Sequence, residues 1–421
     1  MNAIFLILVL GGFAFAAFRQ LAWDTAGKAP MDLAGTAMIE AARNAVELSI
    51  GLIGVMALFL GLMKVAEAGG LLVVIAKALR PLMVRLFPEV PPGHPAMGAM
   101  VLNMSANALG LGNAATPFGI RAMQELDRLN PVRGVASDAM ILFMVINTAN
   151  VTLVPTGVVA LRAASGSADP AGVVGTTLFA TLLATAVAIM AAKLMQGRWK
   201  AEPVAGESMP PPGESPESAL DDPGSYPAWV SWTLLGGIVA LVPLLILFNR
   251  SVSPWILPGL VAGLLAFGMA RKVKVYETFV EGAKEGFQVA VRIIPYLVAI
   301  LVAIALFRSS GALDAIVGPL GRLTAPVGLP PEAVTMTLMR SLTGSGSYGY
   351  LASILQDPAI GPDSYTGYLT STIYGSTETT FYVLAVYFGS VGVRKVRHAV
   401  AAALLADLAG AVAAVLACRM L

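Results

Sequence analysis

Asn103-Met-Ser-Ala-Asn107-Ala-Leu-Gly110-Leu-Gly112-Asn113-Ala-Ala-Thr116-Pro117 decides how this chain is read. It concentrates amides, glycines and a proline in a sequence that is 57% hydrophobic and only 12% charged. A counterpart, Arg340-Ser-Leu-Thr-Gly344-Ser-Gly346-Ser347, lies in the second half. Each stretch is followed by a polar cluster inside the next apolar run: Asn147-Thr148-Ala-Asn150-Val-Thr152 in the first half, Ser376-Thr377-Glu378-Thr379-Thr380 in the second. Polar, helix-breaking backbone at membrane depth persists only where protein buries it or where it lines a wet cavity. These four segments are therefore the expected functional centre.

Soluble domains carry about 25% charged residues, so 421 residues at 12% describe a polytopic membrane protein. The net charge of +2 gives no reason to expect nucleic acid as a partner. One cysteine, Cys418, and two distant histidines, His94 and His398, offer neither a disulfide framework nor a zinc-type site. No metal site and no catalytic residue are expected. Apolar runs near 2–18, 47–65, 137–160, 172–195, 228–248, 254–270, 288–307, 366–388 and 397–418 predict about nine transmembrane helices. Residues 2–18 lack a basic leader and read as a retained helix rather than a signal peptide. The stretches 97–118 and 333–355 read as re-entrant helical hairpins. Residues 69–86, with Lys77, Arg80 and Arg85, and residues 311–327 read as interfacial helices. Residues 196–227, rich in Pro, Gly, Ser and acid, predict a flexible cytoplasmic linker between halves 1–195 and 228–421.

With the N-terminus in the cytoplasm, loops on that side hold about twice as many Lys and Arg as the outer loops, where Arg162 and Arg308 fall. The halves also align. Ile39-Glu40-Ala-Ala-Arg43 matches Val280-Glu281-Gly-Ala-Lys284, Met63-Lys64 matches Phe307-Arg308, and Pro91-Pro92 matches Pro330-Pro331. One span precedes the first unit and two more precede the second, so the repeats are predicted to be inverted. Inverted repeats whose broken helices meet at the midplane are a secondary-transporter architecture.

Charged groups inside spans are costly and need an account. Arg340 offers a planar fork to a carboxylate or phosphate. Glu378, among hydroxyl residues, and Asp407, beside Gly410 and Ala414, are candidate coupling acids for H+ or Na+. An Arg340–Glu378 or Arg340–Asp407 pair that pins the hairpin is the structural alternative. Asn103, Asn107, Asn113, Thr116, Asn147 and Asn150 form a set that can donate and accept. With Arg340, Ser345, Ser347 and Thr377 they are the expected solute-binding residues. Gly344-Ser-Gly346-Ser-Tyr-Gly349 has the dinucleotide-fingerprint spacing, but no strand precedes it. Its glycines instead predict a sharp turn with exposed N–H groups.

MKVAEAGGLL (63–72), RLFPEVPPGHPAMGAM (85–100) and the Asn103–Met123 motif resemble the spore maturation protein A family. The 275–314 segment, MRSLTGSGSYG (339–349), GSTETTFYVLAVYFGSVGVRK (375–395) and ALLADLAG (403–410) resemble the B family. The chain resembles a fusion of the two, both within the Gate, or nucleoside-recognition, superfamily, which includes parts of concentrative nucleoside transporters. The resemblance implies an all-α polytopic protein of the bacterial inner membrane with two Gate-type repeats. It names no solute, since fold-level kinship is a weak guide to function. The leading expectation is a secondary transporter of a small polar or anionic solute, needing no cofactor beyond a coupling ion. The alternatives are an uncoupled channel or permease, and a non-transporting factor for envelope or spore maturation. Beyond the solute and the lipid bilayer, the expected partners leave room for a homo-oligomer.

Overall fold

The computed structural model describes residues 2–24, 27–110, 112–197 and 224–421, apart from the side chains of residues 2–4, 112–114, 314, 316 and 322. Most of the expected linker, 198–223, lies outside the described residues. The described chain is helical throughout: α1 (Asn2–Leu21), α2 (Pro30–Ala68), α3 (Leu71–Leu86), α4 (Pro95–Ala108), α5 (Gly112–Arg128), α6 (Asp138–Ala149), α7 (Thr156–Ala164), α8 (Val173–Met195), α9 (Ala228–Leu247), α10 (Asn249–Ala270), α11 (Val275–Ser309), α12 (Ala312–Thr324), α13 (Pro331–Leu342), α14 (Gly344–Leu355), α15 (Tyr365–Ser376), α16 (Thr380–Gly389) and α17 (Ala399–Cys418).

Six of these, α2, α8, α9, α10, α11 and α17, are long and apolar enough to cross a bilayer. The protein is thus multi-pass, with six such helices among the described residues where about nine were expected. Two of the missing three are not continuous. The run 137–160 is split into α6 and α7, and 366–388 into α15 and α16. The breaks fall at Asn150–Pro155 and Thr377–Thr379, within the polar clusters. Asparagine, threonine and proline weaken the helix there by competing for, or lacking, its hydrogen bonds. In α1 the apolar stretch is Phe5–Leu21, shorter than a full span.

The order of elements repeats. A long helix (α2, α11) is followed by a short one (α3, α12), a helical pair (α4/α5, α13/α14), a broken helix (α6/α7, α15/α16) and a closing span (α8, α17). The joints match in detail. Gly70 (φ 78°) and Gly311 (φ 83°) both take the left-handed conformation just before α3 and α12, a position that favours glycine. Pro95 and Pro331 both open the first arm of their pair, where a missing N–H costs nothing. His94 caps α4, its Nδ1 accepting from the Ala96 N–H at 3.2 Å. At about 1.5 Å per residue, arms of 14 and 12 residues reach only about 20 Å, short of a bilayer core of about 30 Å.

In space the chain forms two compact units. Unit 1 comprises residues 1–62, 156–170 and 276–374; unit 2 comprises 63–155, 171–275 and 375–421. The halves 1–195 and 228–421 divide the chain along its length, whereas these units take elements from both halves. In unit 1, α2 and α11 are antiparallel. A Cβ on Gly286 would crowd the Met56 carbonyl at 2.6 Å, and one on Gly61 would crowd Phe279 at 2.7 Å, so the register runs in opposite directions. In unit 2, α8 packs on α17 and α6. Buried residues make up 61% and 56% of the apolar windows containing α8 and α17, but only 22% and 17% of those of α9 and α10. The first pair forms the core, and the second presents most of its apolar surface outward, as lipid-facing helices do.

Candidate functional site

Three interruptions of helix meet in unit 2. They are the α4–α5 tip, the α6–α7 break and the α15–α16 break. Each leaves backbone groups without intrahelical partners, and these groups satisfy one another. The Leu153 N–H donates to the Ala108 carbonyl at 3.0 Å, and the Glu378 N–H donates to the Thr148 carbonyl at 2.7 Å. Asn150 ends α6 with φ 27°, a strained value for a side-chain-bearing residue. Its amide reaches Glu378 Oε1 at 3.4 Å.

A chain of neutral groups lies beside this junction. Asn103 Nδ2 donates to the Ala115 carbonyl at 2.8 Å and to the Tyr387 hydroxyl at 3.2 Å. The Tyr387 hydroxyl donates to Asn147 Oδ1 at 3.2 Å, and Asn107 Nδ2 donates to the same oxygen at 2.9 Å. Asn147 Nδ2 is anchored on the Phe143 carbonyl at 2.9 Å. The Tyr387 ring stacks on Phe143 at 5.8 Å between centroids. Asn103 is fully buried, and its Oδ1 has no hydrogen-bond partner. A buried acceptor left unpaired costs about 1–3 kcal/mol, so a donor brought in by a ligand is favoured there. Gly119 on α5 lets the helix approach, since a Cβ there would collide with the Tyr387 hydroxyl.

The two acids expected to matter, Glu378 and Asp407, both fall in unit 2. Glu378 sits in the break and is half-buried. Asp407 is buried on α17, and its Oδ2 accepts from the Thr380 hydroxyl at 2.8 Å. One turn along α17, Gly410 permits close packing: a Cβ there would lie 3.2 Å from both Ser376 Oγ and Thr377 Cγ2. Thr377 is itself buried within the break.

The remaining expected residues fall elsewhere. Thr116 lies in the second turn of α5, and the side chain of Asn113 is outside the described residues. Arg340, Ser345 and Ser347 belong to unit 1. Arg340 is buried in the last turn of α13, its guanidinium carbon 4.5 Å from the centre of the Tyr374 ring. The α13–α14 tip is a single extended residue, Thr343, whose hydroxyl caps α14 by accepting from the Gly346 N–H at 3.1 Å. The sharp glycine turn expected here is absent. Gly349 instead permits contact with α11, since a Cβ there would collide with Ile300. Ser345 is exposed, and Ser347 donates back to the Thr343 carbonyl at 2.7 Å.

Sequence reasoning placed Arg162 in an outer loop; the structure buries it completely in unit 1. It donates to the Pro362 carbonyl at 2.6 Å, to Asp363 Oδ1 at 2.9 Å and to the Asp169 carbonyl at 3.2 Å. Its guanidinium carbon lies 4.1 Å from the Tyr368 ring centre. Asp363 also accepts from the Ser167 hydroxyl at 2.6 Å and the Ala168 N–H at 2.8 Å. Unit 2 has a corresponding fastening. The residues after α16 meet the start of α6 and the loop before it: Arg397 pairs with Asp138 at 2.7 Å, and Arg394 N–H donates to the Gly134 carbonyl at 2.8 Å. Tyr387, Tyr374 and Tyr368 were also missed. For Tyr387 a signal existed, because it lies two helical turns beyond Thr380, on the same face.

A membrane protein built on discontinuous helices, with a buried polar junction at their breaks, is the class that fold and site define. The chain belongs to the Gate family, described as nucleoside recognition, whose model matches residues 49–196 and 290–394. It resembles a fusion of two Bacillus subtilis (strain 168) proteins. It is 48% identical to spore maturation protein B over 160 residues, covering 38% of this chain and 89% of that protein. To spore maturation protein A it is 41% identical over 189 residues, covering 45% of this chain and 92% of that protein. Distant likenesses among solved structures include CNTnw in an inward-facing substrate-bound state, with TM-score 0.44 and 14% identity over 99% of this chain and 90% of that one. Another is the Alcanivorax borkumensis YdaH transporter, with TM-score 0.39 and 16% identity over 99% of this chain and 97% of that one.

Proposed function

We propose that the protein is a secondary transporter of a small polar or anionic solute in the bacterial inner membrane, coupled to H+ or Na+. The observation that carries this reading is the meeting of three helix interruptions on a buried amide–tyrosine network in unit 2, with Glu378 at the same junction. Unwound backbone inside a membrane protein is a costly feature, and a solute or ion path is its usual reason.

In this reading Asn103, Asn107, Asn147 and Asn150 recognise the solute, with Asn113, Thr116 and Thr377 alongside. A nucleoside-like solute suits both the family description and the chemistry, since amides pair with the donors and acceptors of a base or a ribose. Arg340, Ser345 and Ser347 lie in unit 1 and form a separate candidate set for an anionic group. Glu378 is the first candidate for coupling, because its carboxylate sits in the break, with Oε1 3.4 Å from the Asn150 amide. Asp407, already holding Thr380, is the second. The repeats are inverted, the hairpins re-entrant, the N-terminus cytoplasmic and the linker 196–227 on the same side.

The test is flux into proteoliposomes with and without an H+ or Na+ gradient, using uridine as the probe. Wild type accumulates solute when a gradient is present. Glu378→Gln retains the fold and loses gradient-driven uptake by at least about tenfold. Unchanged uptake in that variant removes Glu378 from coupling. Flux that ignores both gradients favours an uncoupled permease. The names of the two Bacillus relatives favour one further reading, a spore or envelope factor without transport. That reading requires function in vivo to survive replacement of Asn103 and Asn147 by leucine.

A further inference from the structure

Unit 1 contains a cavity that the polar junction does not use. It has a volume of ≈ 500 Å³ and lies between α2, α11 and the end of α14, a size typical of small-molecule sites. Its wall changes character along its length. Ala41, Leu301, Ile304 and Ala305 make an apolar part, whereas Arg308, Gln356 and Asp357 make a polar one. Arg308 stands in the last turn of α11, where the apolar run gives way to Ser309-Ser310. That change is where a spanning helix meets the membrane–water boundary.

Arg308 is held in place. Its Nη2 donates to Asp357 Oδ2 at 2.6 Å, and Asp357 Oδ1 in turn accepts from the Ala359 N–H at 2.9 Å. A second, smaller recess of ≈ 90 Å³ shares Arg308 and Ser353 as wall and is lined by Glu332, Thr335 and Tyr350. One guanidinium is thus flanked by two carboxylates, beside an apolar slot at the level of the membrane boundary. A purely anionic ligand would gain Arg308 but face both acids. A purely cationic ligand would meet Arg308. A ligand with an apolar tail and a head carrying both signs fits all three charges and the slot.

We propose that these adjoining cavities bind one phospholipid with a zwitterionic phosphate–ammonium head. The phosphate takes the remaining guanidinium donors of Arg308, the ammonium is drawn to Asp357 and Glu332, and the first part of an acyl chain lies along Leu301, Ile304 and Ala305. The lipid would brace the antiparallel α2–α11 pair. The site is independent of the transport reading and of the residues assigned there.

Native mass spectrometry of the full chain in detergent tests this, with phosphatidylethanolamine, phosphatidylglycerol, diacylglycerol and soluble glycerophosphoethanolamine titrated separately. The expected result is one phosphatidylethanolamine adduct, formed at about tenfold lower concentration than any with phosphatidylglycerol or diacylglycerol. Ala305→Phe fills the slot and removes the adduct while leaving the charges in place. Should that variant fail to fold, Ala41→Leu fills the slot from the α2 side and is expected to do the same. Glu332→Gln brings the two phospholipids close to parity. Equal binding of all three lipids to wild type overturns the proposal, as does full binding to the filled variants. Binding of glycerophosphoethanolamine as tight as that of the lipid overturns the lipid as source and assigns the site to a soluble zwitterion.

Discussion

In unit 2 broken backbone is surrounded by neutral groups, with Asn103, Asn107, Asn147 and Tyr387 sharing hydrogen bonds around the α6–α7 and α15–α16 interruptions. In unit 1 two buried guanidinium groups lie over tyrosine rings, Arg162 over Tyr368 and Arg340 over Tyr374. The two chemistries differ in what they allow. A single side-chain hydrogen bond inside a membrane protein is worth about 0.6 kcal/mol on average, so a neutral network can exchange a partner for a solute at little cost. A fully buried arginine is expensive to disturb, because removing its carboxylate partner strands the guanidinium. Arg162 is therefore an anchor, and the neutral junction is the part suited to change.

That contrast can be broken most directly at Asp363. Replacing it with alanine leaves the fully buried Arg162 without its carboxylate and is expected to lower stability by about 3 kcal/mol or more, read from unfolding of the purified protein in a denaturing detergent series. A loss under about 1 kcal/mol would class the pair with ordinary exposed ones and remove the difference between the units. At the centre of the amide network, Asn147→Ala leaves the Asn107 amide and the Tyr387 hydroxyl without their shared acceptor. The expected cost is about 1–3 kcal/mol, together with a weakened apparent affinity in uptake. Full affinity with the same stability loss would make the network structural rather than ligand-binding. Tyr387→Phe is the finest probe. It deletes one hydroxyl while keeping the stack on Phe143, so stability should move by only about 0.6 kcal/mol. If KM for the solute rises while kcat holds, the hydroxyl contributes to ground-state binding. An unchanged KM would leave Asn103 and Asn147 as the recognition pair.

The repeat was legible because it is written in local chemistry. Pro91-Pro92 and Pro330-Pro331 both announce a helical pair, although the structural counterpart of Pro331 is Pro95, and glycines before α3 and α12 mark the same left-handed joint. Helix breaks were signalled but misjudged. The runs 137–160 and 366–388 average out as apolar, so their composition predicted spans, whereas a few residues, Asn150 to Pro155 and Thr377 to Thr379, unwind them. Hydropathy is a sum over many side chains, but a helix is interrupted by single backbone preferences. The candidate site was legible in part. Asn103, Asn107, Asn147 and Asn150 are together as their polarity suggested, and Glu378 is at the same break. Arg162 was not legible, because nothing nearby in sequence distinguishes a loop arginine from one whose carboxylate partner, Asp363, lies 201 residues away.

By itself the sequence determined the membrane class, the duplicated order of elements and the polar residues that had to be explained, since these follow from composition, spacing and local turn chemistry. Only the tertiary structure decided which polar groups share a unit. It gave Glu378, Asp407 and most of the asparagines to one and Arg340 to the other, and it brought Tyr387 to Asn103 across 284 residues. Hydrogen bonds in an apolar interior are fixed by which broken ends need partners, and the chain has to fold before those ends meet.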